Sequence, residues 1–197
     1  MSSLALPTPH LVILAGPNGA GKTTCASRLL PPGVPFVNAD EIAKTLPGFE
    51  GVAQDLRAGR ILLEKVSHFE QHRQSFAIET NLANRALLKR IERLQATGYS
   101  VTMIFLWLRS VDLAIDRVME RVRRGGHSVP AEVIRRRYRV GLTNFLKWYR
   151  VRVDSWFIFD NSLGEIRLVA LQEKPGAEQI FEKDLWHKIR KGVALDE

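Results

Sequence analysis

Four apolar residues, Leu11-Val12-Ile13-Leu14, lead into Gly16-Pro17-Asn18-Gly19-Ala20-Gly21-Lys22-Thr23-Thr24, and no other stretch constrains this chain as tightly. Gly-x-x-x-x-Gly-Lys-Thr, with a strand before it and a helix after it, is the pattern of a phosphate-binding loop. Its glycines let the main chain wrap phosphate oxygens with no Cβ in the way. The loop N–H groups and the N-terminus of the following helix turn positive dipole ends toward an anion. Lys22 adds a charge at the outer phosphates, and the Thr23 hydroxyl suits the coordination sphere of Mg²⁺. A Gly-rich turn that binds nothing has no reason to meet all the fixed positions and the flanking context together. The segment is read as a nucleoside triphosphate site.

The 197 residues fit one α/β domain, 1–197, with ample material for a core. A formal net charge of +8 points to acidic partners such as nucleotides, phosphosugars or nucleic acid. A solvated basic surface would give the same sum, so charge alone does not choose. The single cysteine, Cys25, excludes an internal disulfide and a Cys-rich metal site. Nothing at the N-terminus reads as a signal peptide and no apolar run nears transmembrane length. The expectation is a cytoplasmic chain without a membrane partner.

Along the chain, strand and helix signals alternate. A helix from Gly21 to about Leu30 stops at Pro31-Pro32-Gly33. Val34 to Asn38 reads as a short strand, Gly51 to about His72 as a helix, and Ser75 to Glu79 as a strand. Arg85 to Thr97 is helical and closes on Gly98. Val101 to Leu108, nearly all apolar, suits a central parallel strand covered on both faces. Val111 to Arg124 is helical, and after the Gly125-Gly126-His127 break a helix runs from Pro130 to about Arg150. Trp156 to Phe159 and Ile166 to Leu171 are strands, and Ala177 to about Lys191 is a last helix. The fold class predicted is α/β of the P-loop NTPase type. Its central sheet has five to six mostly parallel strands, with helices on both faces and a small arginine-rich lid near 121–137.

In such sheets ligands bind at the carboxyl ends of the strands. The phosphate loop, Asp40 and Glu79 all fall there by this reading, so they should face one crevice. No acid follows the apolar Val101–Leu108 run, and no Asn-Lys-x-Asp or Leu-Ser-Gly-Gly motif occurs, which argues against Ras-type GTPases and transporter ATPases. Acids at the ends of the second and third strands instead resemble the layout of small-molecule kinases. A hydroxyl attacking a phosphoryl group must lose its proton, and Asp40 is the candidate base. Its competing reading is an N-cap for a helix opening at Glu41. Glu79 either orients the acceptor, holds a water on Mg²⁺, or is a plain loop carboxylate.

A second constellation is Arg117, Arg121, Arg123 and Arg124, followed after the Gly-Gly-His break by Arg135-Arg136-Arg137-Tyr138. Two helices joined by that hinge could fold arginines over a triphosphate. Ile134, Tyr138, Leu142, Phe145 and Tyr149 share one face of the later helix, so Arg137 flanks that face and Arg136 points away. Most residues of such a charge run are solvated.

With these pieces placed, the chain resembles the short, stand-alone members of the zeta-toxin family of P-loop kinases. The residues that carry the resemblance are Gly16–Thr24, Asn38-Ala39-Asp40-Glu41-Ile42, Ile78-Glu79-Thr80-Asn81, Arg121 to Pro130, Ile134 to Tyr138 and Asp160-Asn161-Ser162. The resemblance implies an ATP- and Mg²⁺-dependent kinase acting on a small molecule with a hydroxyl group, the best-known acceptor being UDP-N-acetylglucosamine. It assigns Asp40 as base and Lys22 and Arg124 to the phosphates; Arg121 or Arg137 is the candidate to supply the phosphate charge that the family's lid arginine, absent here, would give. An antitoxin protein is the implied macromolecular partner. One departure is His127, where the toxins have an arginine. Another is a length too short for the long substrate-binding insertions of the toxins. The competing functions are a nucleotide-gated protein that binds RNA or another polyanion, which rests on charge alone, and a nucleoside or RNA-end kinase.

Overall fold

The computed structural model describes residues 8–46 and 51–194. The remainder of the expected 1–197 domain lies outside the described residues. The elements are β1 (His10–Ala15), α1 (Lys22–Leu29), β2 (Phe36–Val37), α2 (Ala39–Lys44), α3 (Gly51–Gln71), β3 (Phe76–Thr80), α4 (Ala86–Ala96) and β4 (Ser100–Trp107). After these come α5 (Val111–Arg123), α6 (Ala131–Asn144), a π-helical turn Phe145–Tyr149, β5 (Ser155–Asp160), β6 (Arg167–Glu173), β7 (Gln179–Ile180) and α7 (Lys183–Ala194).

The strands form one sheet in the order β2-β3-β1-β4-β5-β6-β7. β2 to β5 run parallel, and β6 and β7 are added antiparallel at one edge. β1 lies in the middle of the parallel set, with Leu11 opposite Phe76 on one side and Val101 on the other. Side chains alternate across a strand, and β1 accordingly feeds two cores. Leu11 and Ile13 pack with α3, α4, α6 and α7 on one face. Val12 and Leu14 pack with α1 and α5 on the other. β4 divides the same way, Met103 and Phe105 from Ile104 and Leu106, which is why its sequence is apolar almost throughout.

The α/β class, the mostly parallel sheet and the helices on both faces agree with the sequence expectation; three local features differ. The strand expected over Val34 to Asn38 is only Phe36–Val37. Pro35 has no N–H to give to a ladder, and it contributes only its carbonyl, which accepts from Ala77 N at 2.8 Å. The sheet has seven strands rather than five to six, because Gln179–Ile180, expected to be helical, pairs with Ala170–Leu171. Ile180 and Phe181 therefore lie exposed on the sheet edge instead of lining an amphipathic helix. The helix expected to run unbroken to Arg150 changes to a π turn at Phe145. There Phe145 stacks on Phe105 at 4.7 Å and meets the edge of Trp156 at 5.8 Å.

Candidate active site

Four elements bring their functional side chains to the carboxyl ends of β1, β2 and β3. The phosphate loop leaves β1 between its neighbours β3 and β4 and enters α1 at Lys22. Gly19 has φ +78°, and a Cβ there would stand 2.6 Å from the Ala114 carbonyl oxygen, so only glycine lets the loop lie against α5. Ala20 is fully buried, and its carbonyl accepts from Asn161 Nδ2 at 2.9 Å. The end of β5 thus braces the loop from behind. Lys22 is 7% exposed, donates to the carbonyls of Gly16 (2.9 Å) and Pro17 (3.0 Å), and lies 3.5 Å from Glu79 Oε1. Burial pulls its ammonium below the ordinary lysine value, and the Glu79 charge pulls the other way.

Asn38 organises the second strand end. Its Oδ1 accepts from Asp40 N at 2.8 Å, which makes it the N-cap of α2. Its Nδ2 donates to Glu79 Oε2 at 2.7 Å and to Thr23 Oγ1 at 3.1 Å. Thr23 in turn donates to the same Glu79 oxygen at 2.8 Å. The N-cap reading of Asp40 is thereby corrected. A better acceptor two residues upstream takes that place, and the Asp40 carboxylate faces the cleft from the first turn of α2, half-exposed, 4.0 Å from Arg121 Nη1.

The lid closes the opposite wall. Arg121 donates from Nη2 to the His127 carbonyl at 2.7 Å and holds the turn after α5. Its Nε is buried without a hydrogen-bond partner. Arg124 reaches the same cleft but is 77% exposed, and Glu120 holds it at 2.9 Å. Arg137 stands back from the cleft and donates to Asn18 Oδ1 of the phosphate loop at 3.4 Å. Arg136 is exposed.

One cleft of about 690 Å³ thus joins Asn18, Gly19 and residues 21–24 with Asp40, Glu79, Arg121 and Arg124. Sequence reasoning gives Lys44 and Arg28 no role, has Asn38 only inside the motif that ends in Asp40-Glu41-Ile42, and has Arg117 only as one of the arginine constellation. Lys44 stands four residues after Asp40, and Arg117, Arg121 and Arg124 recur at i, i+4 and i+7 of one helix. All four line the cleft. Asn directly after a strand and ahead of Ala-Asp-Glu is a strong capping signal. Arg28 carried none.

The donor set fits a small hard cation. Thr23 Oγ1 and Glu79 Oε2 present two oxygens side by side, and among the described residues no cluster of three acidic, His or Cys side chains could form a full protein cage. Mg²⁺ is characteristically held by one or two protein oxygens plus phosphates and waters.

A parallel sheet carrying a phosphate loop at its centre, a carboxylate at the adjacent strand end and an arginine-bearing lid defines a P-loop fold of the kinase arrangement. The zeta toxin family model matches residues 3–163, and the chain belongs to that family. A Haemophilus influenzae protein, described only as uncharacterized, is 26% identical over 129 residues, 64% of this chain and 91% of its own. Among solved structures, a chain of the AvrRxo1-ORF1:-ORF2 complex with ATP superposes with a TM-score of 0.74 at 18% identity. The match covers 92% of this chain but only 63% of that one, so the present chain spans less than two thirds of it. The PezAT chromosomal toxin-antitoxin system of Streptococcus pneumoniae gives a TM-score of 0.66 at 14% identity, covering 98% of this chain and 89% of the other. At these identities the structural likeness speaks for the fold. Among the described residues no helix is long and apolar enough to cross a membrane.

Proposed function

We propose that this protein is an ATP-dependent phosphotransferase that moves the γ-phosphate of ATP to a hydroxyl of a small-molecule acceptor. The observation that carries the reading is the convergence of Lys22, Thr23, Asp40, Glu79 and Arg121 on one cleft. The phosphate loop and Lys22 cradle the β- and γ-phosphates, with Arg121 and Arg124 closing over them from α5. Lys22 already sits with its three donors turned to two carbonyls and Glu79, so an incoming phosphate exchanges one set of acceptors for a more highly charged one. Thr23, with Glu79 behind it, would hold Mg²⁺, which would neutralise negative charge on the outer phosphates.

Asp40 accepts the proton of the acceptor hydroxyl as that oxygen forms a bond to the γ-phosphorus. The bond from the γ-phosphorus to the β-bridging oxygen breaks, and ADP leaves with the electron pair. No side chain becomes covalently modified. Glu41, the next residue, and Lys44, one helical turn along α2, supply polar groups beside Asp40 for the body of the acceptor. A nucleotide sugar such as UDP-N-acetylglucosamine is the first acceptor to try, since the family resemblance points to it. The likeness to PezAT, a toxin-antitoxin system, supports an antitoxin as the protein partner.

The test is transfer of labelled γ-phosphate from ATP–Mg²⁺ to UDP-N-acetylglucosamine, nucleosides, free sugars and RNA 5′ ends, with Lys22→Ala and Asp40→Asn alongside and circular dichroism as the folding control. Transfer to an acceptor should disappear in both variants, while Asp40→Asn keeps its affinity for a non-hydrolysable ATP analogue. Undiminished transfer by Asp40→Asn would remove the base from the mechanism.

A further inference from the structure

The segment that leaves β3 is held in an unusual conformation by a helix that starts just after the lid turn. β3 lies between β2 and β1 in the sheet. The chain leaving it at Thr80 therefore emerges between Asp40, which follows β2, and the phosphate loop, which follows β1. Two residues on, Leu82 is fully buried and has φ +52°. A branched, non-glycine side chain in the left-handed region persists only where its surroundings over-determine it, and such positions cluster at ligand clamps.

The surroundings here are specific. Thr80 Oγ1 accepts from Leu82 N at 3.1 Å and Asn81 Oδ1 accepts from Ala83 N at 3.0 Å, closing two small turns. From the other side, Asn144 Nδ2 donates to the Leu82 carbonyl at 2.7 Å and Tyr149 Oη donates to the Asn84 carbonyl at 2.9 Å. Gly141, one turn before Asn144, lies against the Asn81 carbonyl so closely that a Cβ would collide with it. The Arg85 guanidinium stacks 4.4 Å from the centre of the Trp148 ring. Every one of these outside holds comes from the end of α6 and its π turn.

The π turn is what makes the grip possible. In an α-helix, residues five apart point about 140° away from each other. Here Arg150 N bonds back to the Phe145 carbonyl, five residues earlier. The widened turn brings positions five apart onto one side, so Asn144 and Tyr149 grip the same loop. At its other end, α6 starts just after the lid turn and sends Arg137 to Asn18.

We propose that Asn144 and Tyr149 are positioning residues for the acceptor. They fix the 80–85 loop as the wall against which the acceptor hydroxyl is aimed at Asp40, and they do so from the helix that follows the lid turn. The inference rests on the phosphotransferase reading. Tyr149→Phe is the decisive variant, since it removes one hydroxyl and keeps the ring in the core; Asn144→Ala is the second. In Tyr149→Phe the amides of 82–86 should exchange with deuterium faster. The KM for the best-labelled acceptor of the panel above should rise about three- to tenfold, with the KM for ATP and the affinity for the ATP analogue unchanged. An acceptor KM that stays put, or an ATP KM that rises in step with it, overturns the proposal. Wild-type protein that binds the analogue yet labels no acceptor overturns the phosphotransferase reading itself, whatever the loop exchange shows.

Discussion

Asn38 Nδ2 lies 2.7 Å from Glu79 Oε2, while the other end of the same amide caps the helix that carries Asp40. One short side chain therefore spans the two strand ends on which the proposed chemistry depends. Its donor end orients the carboxylate beside Thr23, and its acceptor end starts α2 at the register that turns Asp40 into the cleft. The orientation of Glu79 and the placement of Asp40 are thus a shared property of β2 and β3 and of neither strand alone.

The capping half of that arrangement can be measured by itself. Asn38→Ser keeps an N-cap oxygen and loses the amide donor, whereas Asn38→Ala loses both. Urea unfolding should show the alanine variant less stable than the serine variant by about 1 kcal/mol, the worth of an N-cap. Equal midpoints for the two would mean that the cap adds nothing to α2.

Glu79→Gln tests the donor set proposed for the cation. Glutamine keeps the size and an acceptor oxygen, but removes the charge beside Thr23 and Lys22. The concentration of Mg²⁺ needed for half-maximal transfer should rise about 10- to 100-fold, the usual range for groups that support metal ligands. An unchanged Mg²⁺ requirement would return Glu79 to the plain loop carboxylate that its sequence position also allowed.

How far the sequence could be read depended on how local the physics was. The phosphate loop is dictated by steric and charge demands inside nine residues, and its strand-to-helix setting follows from adjacent patterning. β4 is equally plain, because burial on both faces leaves an apolar run. An N-cap is legible as a type of residue, with Asp40 as one candidate beside its role as base, but Asn38 two residues earlier has the geometry to take it. The π turn was hidden because it comes from the fit of Phe145 between Phe105 and Trp156, three partners distant in sequence. β7 was hidden for a similar reason. Two residues carry almost no periodicity, and only the edge of β6 makes them a strand.

The lid arginines divide by where the fold puts them. Arg121 lines the cleft with an unpartnered buried Nε and ties the turn at His127, so Arg121→Ala should lower kcat/KM by about 100-fold or more. Arg124 must first leave Glu120 to reach a phosphate, and Arg124→Ala should cost about tenfold. Arg136→Ala, on the exposed face, should stay within about twofold, the size of an ordinary surface change. Steady-state kinetics on the three variants checks the order. A larger loss at Arg136 than at Arg121 would place the phosphates on α6.

Lys22 sets a pH dependence whose sign is fixed by its burial. Its folded-state pKa lies below the ordinary value of 10.5, chiefly from loss of solvent, with Glu79 opposing. Between those two values the unfolded chain holds more protons than the folded one, so this group's contribution to stability rises with pH across that window. Lys22→Met removes the titration and keeps most of the volume. The stability gap between wild type and Lys22→Met should therefore move in favour of wild type as pH rises toward the ordinary lysine value of 10.5, read from urea midpoints. A saturating nucleotide diphosphate brings negative charge to the same ammonium and favours its protonated form. With it bound, the pH slope should shrink or vanish. A slope that persists unchanged under saturation would mean that the phosphates do not reach Lys22.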